Sequence, residues 1–326
     1  MILGQSKAVE QFSSAWALRK LHHAWLLAGP KGIGKATFAK AAARRVLADA
    51  AGPSPDRPGL ATDHEHPIVR LVEAGSHPDM RWLERLVNEK TGALARNISV
   101  DQVRELGEFM VLTSAFSPWR VAVIDTVDDL EASGANALLK MLEEPPANTL
   151  FFLVSHMPGR LLATIRSRCR RLDFQELDDD AMTSILEAQA PELSAAERQR
   201  VVAMSSGSAG RALAFAELDL AKLEDAALGI LRNGDPTNAR RSDLATELGR
   251  KTATNRYAAF LDLAPSLIAR EARRLEGRTQ ERALDAYAKA RELATIAPRL
   301  SLDPAATVFQ IGGILAEVAD GASLKR

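Results

Sequence analysis

A glycine-bearing turn, Gly29-Pro30-Lys31-Gly32-Ile33-Gly34-Lys35, sits between a short apolar run at 24–28 and a helical pattern over 36–49. That order restricts the first part of the chain to α/β architectures in which a strand feeds a helix through a loop of phosphate-binding size. The glycines let the backbone curl so that successive N–H groups face inward, and the helix N-terminus adds partial positive charge. Lys35 can then reach the outer phosphates of a nucleotide. The competing reading is a glycine turn with no ligand.

The surrounding pattern supports the α/β choice. Apolar runs at 24–28, 80–83, 120–125, 150–155 and 171–174 alternate with helical stretches, as expected of a parallel sheet covered by helices. Ser99 with Gln102 three residues later predicts a capping box opening a helix over 100–110, and Pro145-Pro146 should end a helix over 132–144. Gly52, Pro53, Pro55, Pro58 and Gly59 predict a loop over 51–67. Past Asp178 the strand signals vanish and amphipathic helices follow. Phe260, Leu263, Leu267 and Ile268 line one face of 255–275, which Pro265 should kink or split. A length of 326 residues suits two or three domains. The chain therefore reads as an α/β domain over 1–174, a lid of three short helices over 175–217 broken near Pro191 and Gly207, and about five helices over 218–326.

Composition excludes several function classes. Lys+Arg and Asp+Glu are 42 each, so the formal net charge is zero, which disfavours gripping nucleic acid by bulk charge. The single cysteine, Cys169, excludes an intramolecular disulfide framework and a zinc site built on several thiolates, and points to a reducing, cytoplasmic setting. Cys169 itself reads as a buried small hydrophobe. No run approaches the roughly 18 apolar residues of a membrane span, and no export signal is visible. With 46% hydrophobic but only 5% aromatic residues, alanine and leucine dominate and favour helix.

Two groups needed for nucleotide hydrolysis are missing. After Lys35 a hydroxyl residue should ligate Mg²⁺, but the chain has Ala36; the next residue, Thr37, points about 100° further round the helix. The run Val121-Ala122-Val123-Ile124-Asp125-Thr126 supplies a carboxylate at Asp125 to hold a metal through water. It replaces the usual following glutamate by Thr126, whose hydroxyl has no useful basicity at neutral pH. The residues thus describe a nucleotide fold with crippled hydrolysis, in which ATP or ADP binding through Lys35 and the loop N–H groups stays open.

Further motifs carry a family resemblance. Asn136-Ala137-Leu138-Leu139-Lys140-Met141-Leu142-Glu143-Glu144-Pro145-Pro146 and Thr164-Ile165-Arg166-Ser167-Arg168-Cys169 resemble the signature of bacterial clamp-loader subunits of the AAA+ class. Leu21-His22-His23-Ala24-Trp25 and Gly75-Ser76-His77-Pro78-Asp79 are similar to the delta-prime type in particular. The resemblance covers about residues 1–215; beyond that only helical character and length match. It implies a component of DNA polymerase III in a hetero-pentamer with gamma/tau motor subunits and delta, which opens a sliding clamp and places it on primed DNA. It also implies little or no hydrolysis by this subunit, and a C-terminal helical collar.

By the same resemblance Arg168 is a finger acting in trans at a neighbour's ATP site, where such a group is worth about 10³ to 10⁵ in rate. The bland alternative is that Arg166, Arg168, Arg170 and Arg171 form a solvated basic face. Arg211, in Gly207-Ser208-Ala209-Gly210-Arg211, matches an arginine that touches the subunit's own nucleotide, or is an ordinary exposed residue at a helix start. Ser155 matches a polar residue that senses the outer phosphate. Many relatives carry a four-cysteine zinc module after the phosphate-loop helix; the region 49–67 has no cysteine, and His64 and His66 read as solvated loop, so no metal is expected. The rival to the assembly role is an autonomous ATPase, a motor subunit with its metal on Asp125 and water; an independent DNA-binding protein is least supported.

Overall fold

The computed structural model describes residues 2–52, 57–87, 94–218 and 220–323. The strands are β1 (Ala24–Ala28), β2 (Met80–Leu83), β3 (Arg120–Asp125), β4 (Thr149–Ser155) and β5 (Arg170–Asp173), within a residue of the apolar runs. They form one parallel sheet in the order β2-β3-β4-β1-β5. Its helices are α1 (Ser6–Ala17), α2 (Lys35–Ala51), α3 (Pro67–Glu73), α4 (Val100–Val111), α5 (Ala132–Glu143) and α6 (Ala163–Arg166). Parallel strands need crossovers, and here helices supply them on both faces.

Strand alternation divides the core. Trp25, Leu27, Val121, Val123, Phe152 and Val154 face one layer with Phe12 of α1 and Phe38, Ala42 and Val46 of α2. Phe12 is its hub, with ring centroids 5.2 Å from Trp25, 5.4 Å from Phe152 and 5.9 Å from Phe38. Leu26, Ala122, Ile124, Phe151 and Leu153 face the other layer with Val103 and Leu106 of α4 and Leu138 and Leu142 of α5. The capping box at α4 forms as read: Ser99 Oγ accepts the Gln102 N–H and Gln102 Oε1 accepts the Ser99 N–H. Of the expected loop over 51–67, Pro53 and Pro55 lie outside the described residues.

The remaining helices are α7 (Asp179–Gln189), α8 (Ala195–Ser205), α9 (Ala209–Glu217), α10 (Leu220–Asn233), α11 (Ala239–Leu248), α12 (Thr254–Ala272), α13 (Gly277–Arg299) and α14 (Pro304–Ser323). By contacts the chain divides into two compact units, one of Met1–Ala188 with Ser205–Arg211 and one of Gln189–Met204 with Ala212–Arg326. In the second unit Pro265 does not split its segment: α12 runs unbroken through it. Leu261, Leu263, Ala264, Pro265, Leu267 and Ile268 are all buried, so packing outweighs the roughly 3 kcal/mol that proline costs a helix interior. Ser266 Oγ also donates to the Leu263 carbonyl at 2.7 Å. Among the described residues no helix is long and apolar enough to cross a membrane.

Candidate functional site

The register places the candidate residues at one end of the sheet. Ala28 pairs with Ser155, and Asp125 with Val154, so the phosphate loop, Asp125 and Ser155 leave the carboxyl ends of β1, β3 and β4 together. The loop keeps its shape through Gly29, Gly32 and Gly34, at φ 154°, 79° and 95°, conformations that L side chains rarely adopt.

Lys35 opens α2 and is only 3% exposed. Its Nζ donates to the carbonyls of Gly29, at 2.7 Å, and Pro30. Burial pulls its pKa down to about 8, opposed by the nearby carboxylates of Asp125 and Asp128. Asp125 is shifted upward by burial and by Glu84, against the pull of Lys35. Lysine and carboxylate therefore face the same space. Ala36 brings no oxygen, and Thr37 is exposed one residue further round. Loop amides and Lys35 suit phosphate; for a divalent metal the expected donors reduce to Asp125.

Asp128, which sequence reasoning missed, organises the adjoining strand ends. Its carboxylate accepts from Ser155 Oγ at 2.8 Å and from the backbone N–H groups of His156, at 2.5 Å, and Met157, at 3.4 Å. Ser155 is thus fully buried with its hydroxyl proton directed to Asp128. His156 is also new to the site: its pKa is lowered by burial, then by Lys35, with Asp128, Lys31 and Asp129 also in range. The sequence signal for Asp128 is the pair Asp128 and Asp129 just past a strand that ends in Asp125.

Gln5, also missed, joins segments distant in sequence. Its Nε2 donates to the carbonyls of Ile33, at 3.3 Å, and Gln175, at 2.8 Å. Residues 205–211 meet the loop too: Ser208 Oγ donates to the Lys31 carbonyl at 3.0 Å, and Gly210 N–H to Gly32 at 2.8 Å. Arg211 follows, exposed, in the first turn of α9.

The four arginines near β5 separate by environment. Arg166 Nη1 donates to the carbonyls of Pro158, Gly159 and Leu161 at 3.0–3.3 Å, riveting the chain after β4. Arg170 stacks over Trp25, 5.0 Å from the ring centroid, and Arg171 pairs with Asp173. Arg168 is the least exposed of the four. Its side chain is 34% exposed, pairs with Glu143 at 2.6 Å and donates to the Thr164 carbonyl at 2.9 Å. A part-exposed ion pair is worth about 0–1 kcal/mol, so the Glu143 contact by itself holds the guanidinium only weakly. Cys169 packs against the layer of Leu26 and Phe151, and burial pushes its thiol up to about 12.

Other quoted motifs resolve into structural roles. Asp79 accepts three backbone N–H bonds from the loop before β3, and His77 Nδ1 accepts the Asp79 N–H. His23 bonds the Leu142 carbonyl at 3.1 Å, and Trp25 Nε1 donates to His22 O at 2.9 Å. His66 caps α3 by accepting the Ile68 N–H at 3.3 Å. Among the described residues no group of three or more His, Cys, Asp or Glu is placed to hold a metal ion.

Comparison with known proteins places the chain in a family. A family model described as "DNA polymerase III, delta subunit" matches residues 4–178, more than half of the chain. DNA polymerase III subunit delta' of Pseudomonas aeruginosa is 37% identical over 187 residues, 57% of this chain and 53% of that protein. The tau subunit of Bacillus subtilis is 28% identical over 237 residues, 70% of this chain and 39% of its own. The chain spans about half the length of the curated relatives it matches. A solved gamma subunit-related protein from Thermotoga maritima aligns over 96% of this chain and 99% of its own, at 16% identity and a TM-score of 0.46. With its family model matched across the unit that carries the phosphate loop, the chain belongs to the DNA polymerase III delta subunit family.

Proposed function

We propose that this chain is the delta-prime-type subunit of a DNA polymerase III clamp loader, an AAA+ protein that helps place a sliding clamp on primed DNA. Its partners in this reading are gamma/tau motor subunits and delta in a hetero-pentamer in the cytoplasm. Residues 175–217 serve as lid and 218–326 as collar. One observation carries the reading: a glycine loop with a buried lysine is retained, while Ala36 and Thr126 stand where a metal-ligating hydroxyl and a water-polarising carboxylate are needed.

In this reading residues 29–35 hold the phosphates of ATP or ADP, with Lys35 on the outer ones and Arg211 nearby. The nucleotide supplies the negative charge to which these donors respond. Asp125 remains for a hydrated metal, but no side chain at position 126 can take a proton from water. The subunit binds without turnover. Its contribution to catalysis is Arg168, which exchanges Glu143 for the phosphoryl group at a neighbour's site. Polymerase chemistry belongs to the holoenzyme, of which this chain is a component.

A second reading, an autonomous ATPase, is favoured by the mutual electrostatic influence of Lys35 and Asp125. Calorimetric ADP binding and steady-state ATPase assays on the isolated chain distinguish the two. Binding without turnover is expected; a rate of about 1 s⁻¹ or more, within the ordinary range of enzymes, refutes the assembly role.

A further inference from the structure

Every carbonyl from Gly29 to Gly34 has a hydrogen-bond donor, and the donors differ in origin. Lys35 Nζ serves Gly29 and Pro30, Gln5 serves Ile33, and the Phe38 N–H serves Gly34. The two at the middle are held by residues about 177 positions away: Lys31 O by Ser208 Oγ at 3.0 Å, and Gly32 O by the Gly210 N–H at 2.8 Å. In a planar trans peptide the C=O and N–H point to opposite sides. Holding the carbonyls of Lys31 and Gly32 on one side therefore directs the N–H groups of Ile33 and their neighbour Gly32 by the same constraint.

The approach is close enough to exclude side chains. A Cβ on Gly32 would lie 2.3 Å from Ser208 Oγ, and one on Gly210 would lie 3.0 Å from Gly32 Cα. Gly32 is also at φ 79°. Ser208 is buried, and its Oγ accepts the Arg211 N–H at 3.2 Å while donating to the loop. One hydroxyl thus joins the phosphate loop to the first turn of α9.

We propose that Ser208 and Gly210 are positioning residues of the phosphate loop, holding its amide groups in the phosphate-binding arrangement, so that a bound nucleotide and the docking of residues 208–211 stabilise each other. The second half rests on the nucleotide reading above; the first half does not. Reciprocity follows from linkage: if docking favours phosphate, phosphate favours docking by the same factor. Arg211, one residue beyond Gly210, is set in place by the same contacts.

Hydrogen–deuterium exchange on the full chain tests this, using wild type, Ser208→Ala, Ser208→Thr and Gly32→Ala, each with and without ADP. Without ligand, Ser208→Ala and Gly32→Ala should speed exchange of the Gly210 amide, which donates to the loop, by about tenfold, leaving β1 and β4 unchanged; the Arg211 amide, whose own acceptor is Ser208 Oγ, is read only in Gly32→Ala. Ser208→Thr, which keeps the hydroxyl, should restore most of the protection. ADP should slow exchange in 29–35 and 208–211 together in wild type, and Ser208→Ala should bind ADP about fivefold more weakly, the scale of one hydrogen bond. Wild-type exchange of the Gly210 amide in both Ser208→Ala and Gly32→Ala overturns the positioning role. If either variant fails to fold, the other decides it. ADP binding that leaves 208–211 unaffected overturns the coupling. Wild type that binds no ADP removes the nucleotide reading and the coupling with it, whereas the ligand-free exchange still decides the positioning role.

Discussion

Asp79 offers a quantitative test of how the α/β unit is held. Its carboxylate is 2% exposed and accepts three backbone N–H groups of the loop before β3: Ala115 at 2.6 Å, and Phe116 and Ser117 at 2.8 and 3.0 Å. Its own carbonyl accepts the Val121 N–H at 3.0 Å, which begins the pairing of β2 with β3. Hydrogen bonds to a charged group contribute about 1.5–3 kcal/mol each, and a buried donor left without a partner costs about 1–3 kcal/mol. Ser117 is buried, whereas Phe116 is largely exposed and can turn to water. Asp79→Ala should therefore destabilise the unit by about 3–5 kcal/mol. Asp79→Asn retains one acceptor oxygen and should lose about 2 kcal/mol. Against a typical total of about 5–15 kcal/mol this is a large fraction. Urea unfolding followed by circular dichroism, with exchange of β2 and β3 amides as a local probe, measures it. A loss below about 1 kcal/mol in Asp79→Ala would refute the assignment of Asp79 as the clamp of this loop.

Two other expectations concern ionisation. Lys35, with its pKa lowered to about 8, has lost its proton in the folded chain between about pH 8 and its ordinary value of 10.5, where the unfolded chain retains it. Stability from this group therefore rises with pH across that window and is lost as pH falls through about 8; relative to Lys35→Met, wild type should gain stability from pH 8 to 10 in thermal melts, and a flat difference contradicts the burial argument. Cys169, at about 12, should react with an aromatic disulfide reagent at pH 8 at least a hundredfold more slowly when folded than in denaturant, because thiolate is the nucleophile; equal rates would contradict its burial.

Local signals in the sequence reported local structure faithfully. The five apolar runs became the strands, and Ser99 with Gln102 became the capping box, because each depends on neighbours within a few residues. Helix α1 has the same kind of local signal, a helical spacing of Ala8, Phe12 and Ala15, all buried. What no local pattern announced was the wiring of the site. Gln5 reaches Gln175, Ser208 reaches Lys31, and Asp128 gathers the end of β4, contacts set by the order of strands in the sheet. Pro265 does not split α12 for the complementary reason: its local cost is real, but seven other buried residues along the helix outweigh it.

Arg168 is where the proposed role meets chemistry. DNA-stimulated ATP hydrolysis by a reconstituted complex containing Arg168→Ala, compared with wild type and Glu143→Gln, tests it most directly. Loss of the guanidinium should lower turnover at the one site it faces about 10³-fold or more, the scale of a trans-acting arginine, and so remove that site's share of the complex's rate. Glu143→Gln, which releases Arg168 from its ion pair, should leave the rate within about threefold of wild type. An unchanged rate in Arg168→Ala would contradict the account.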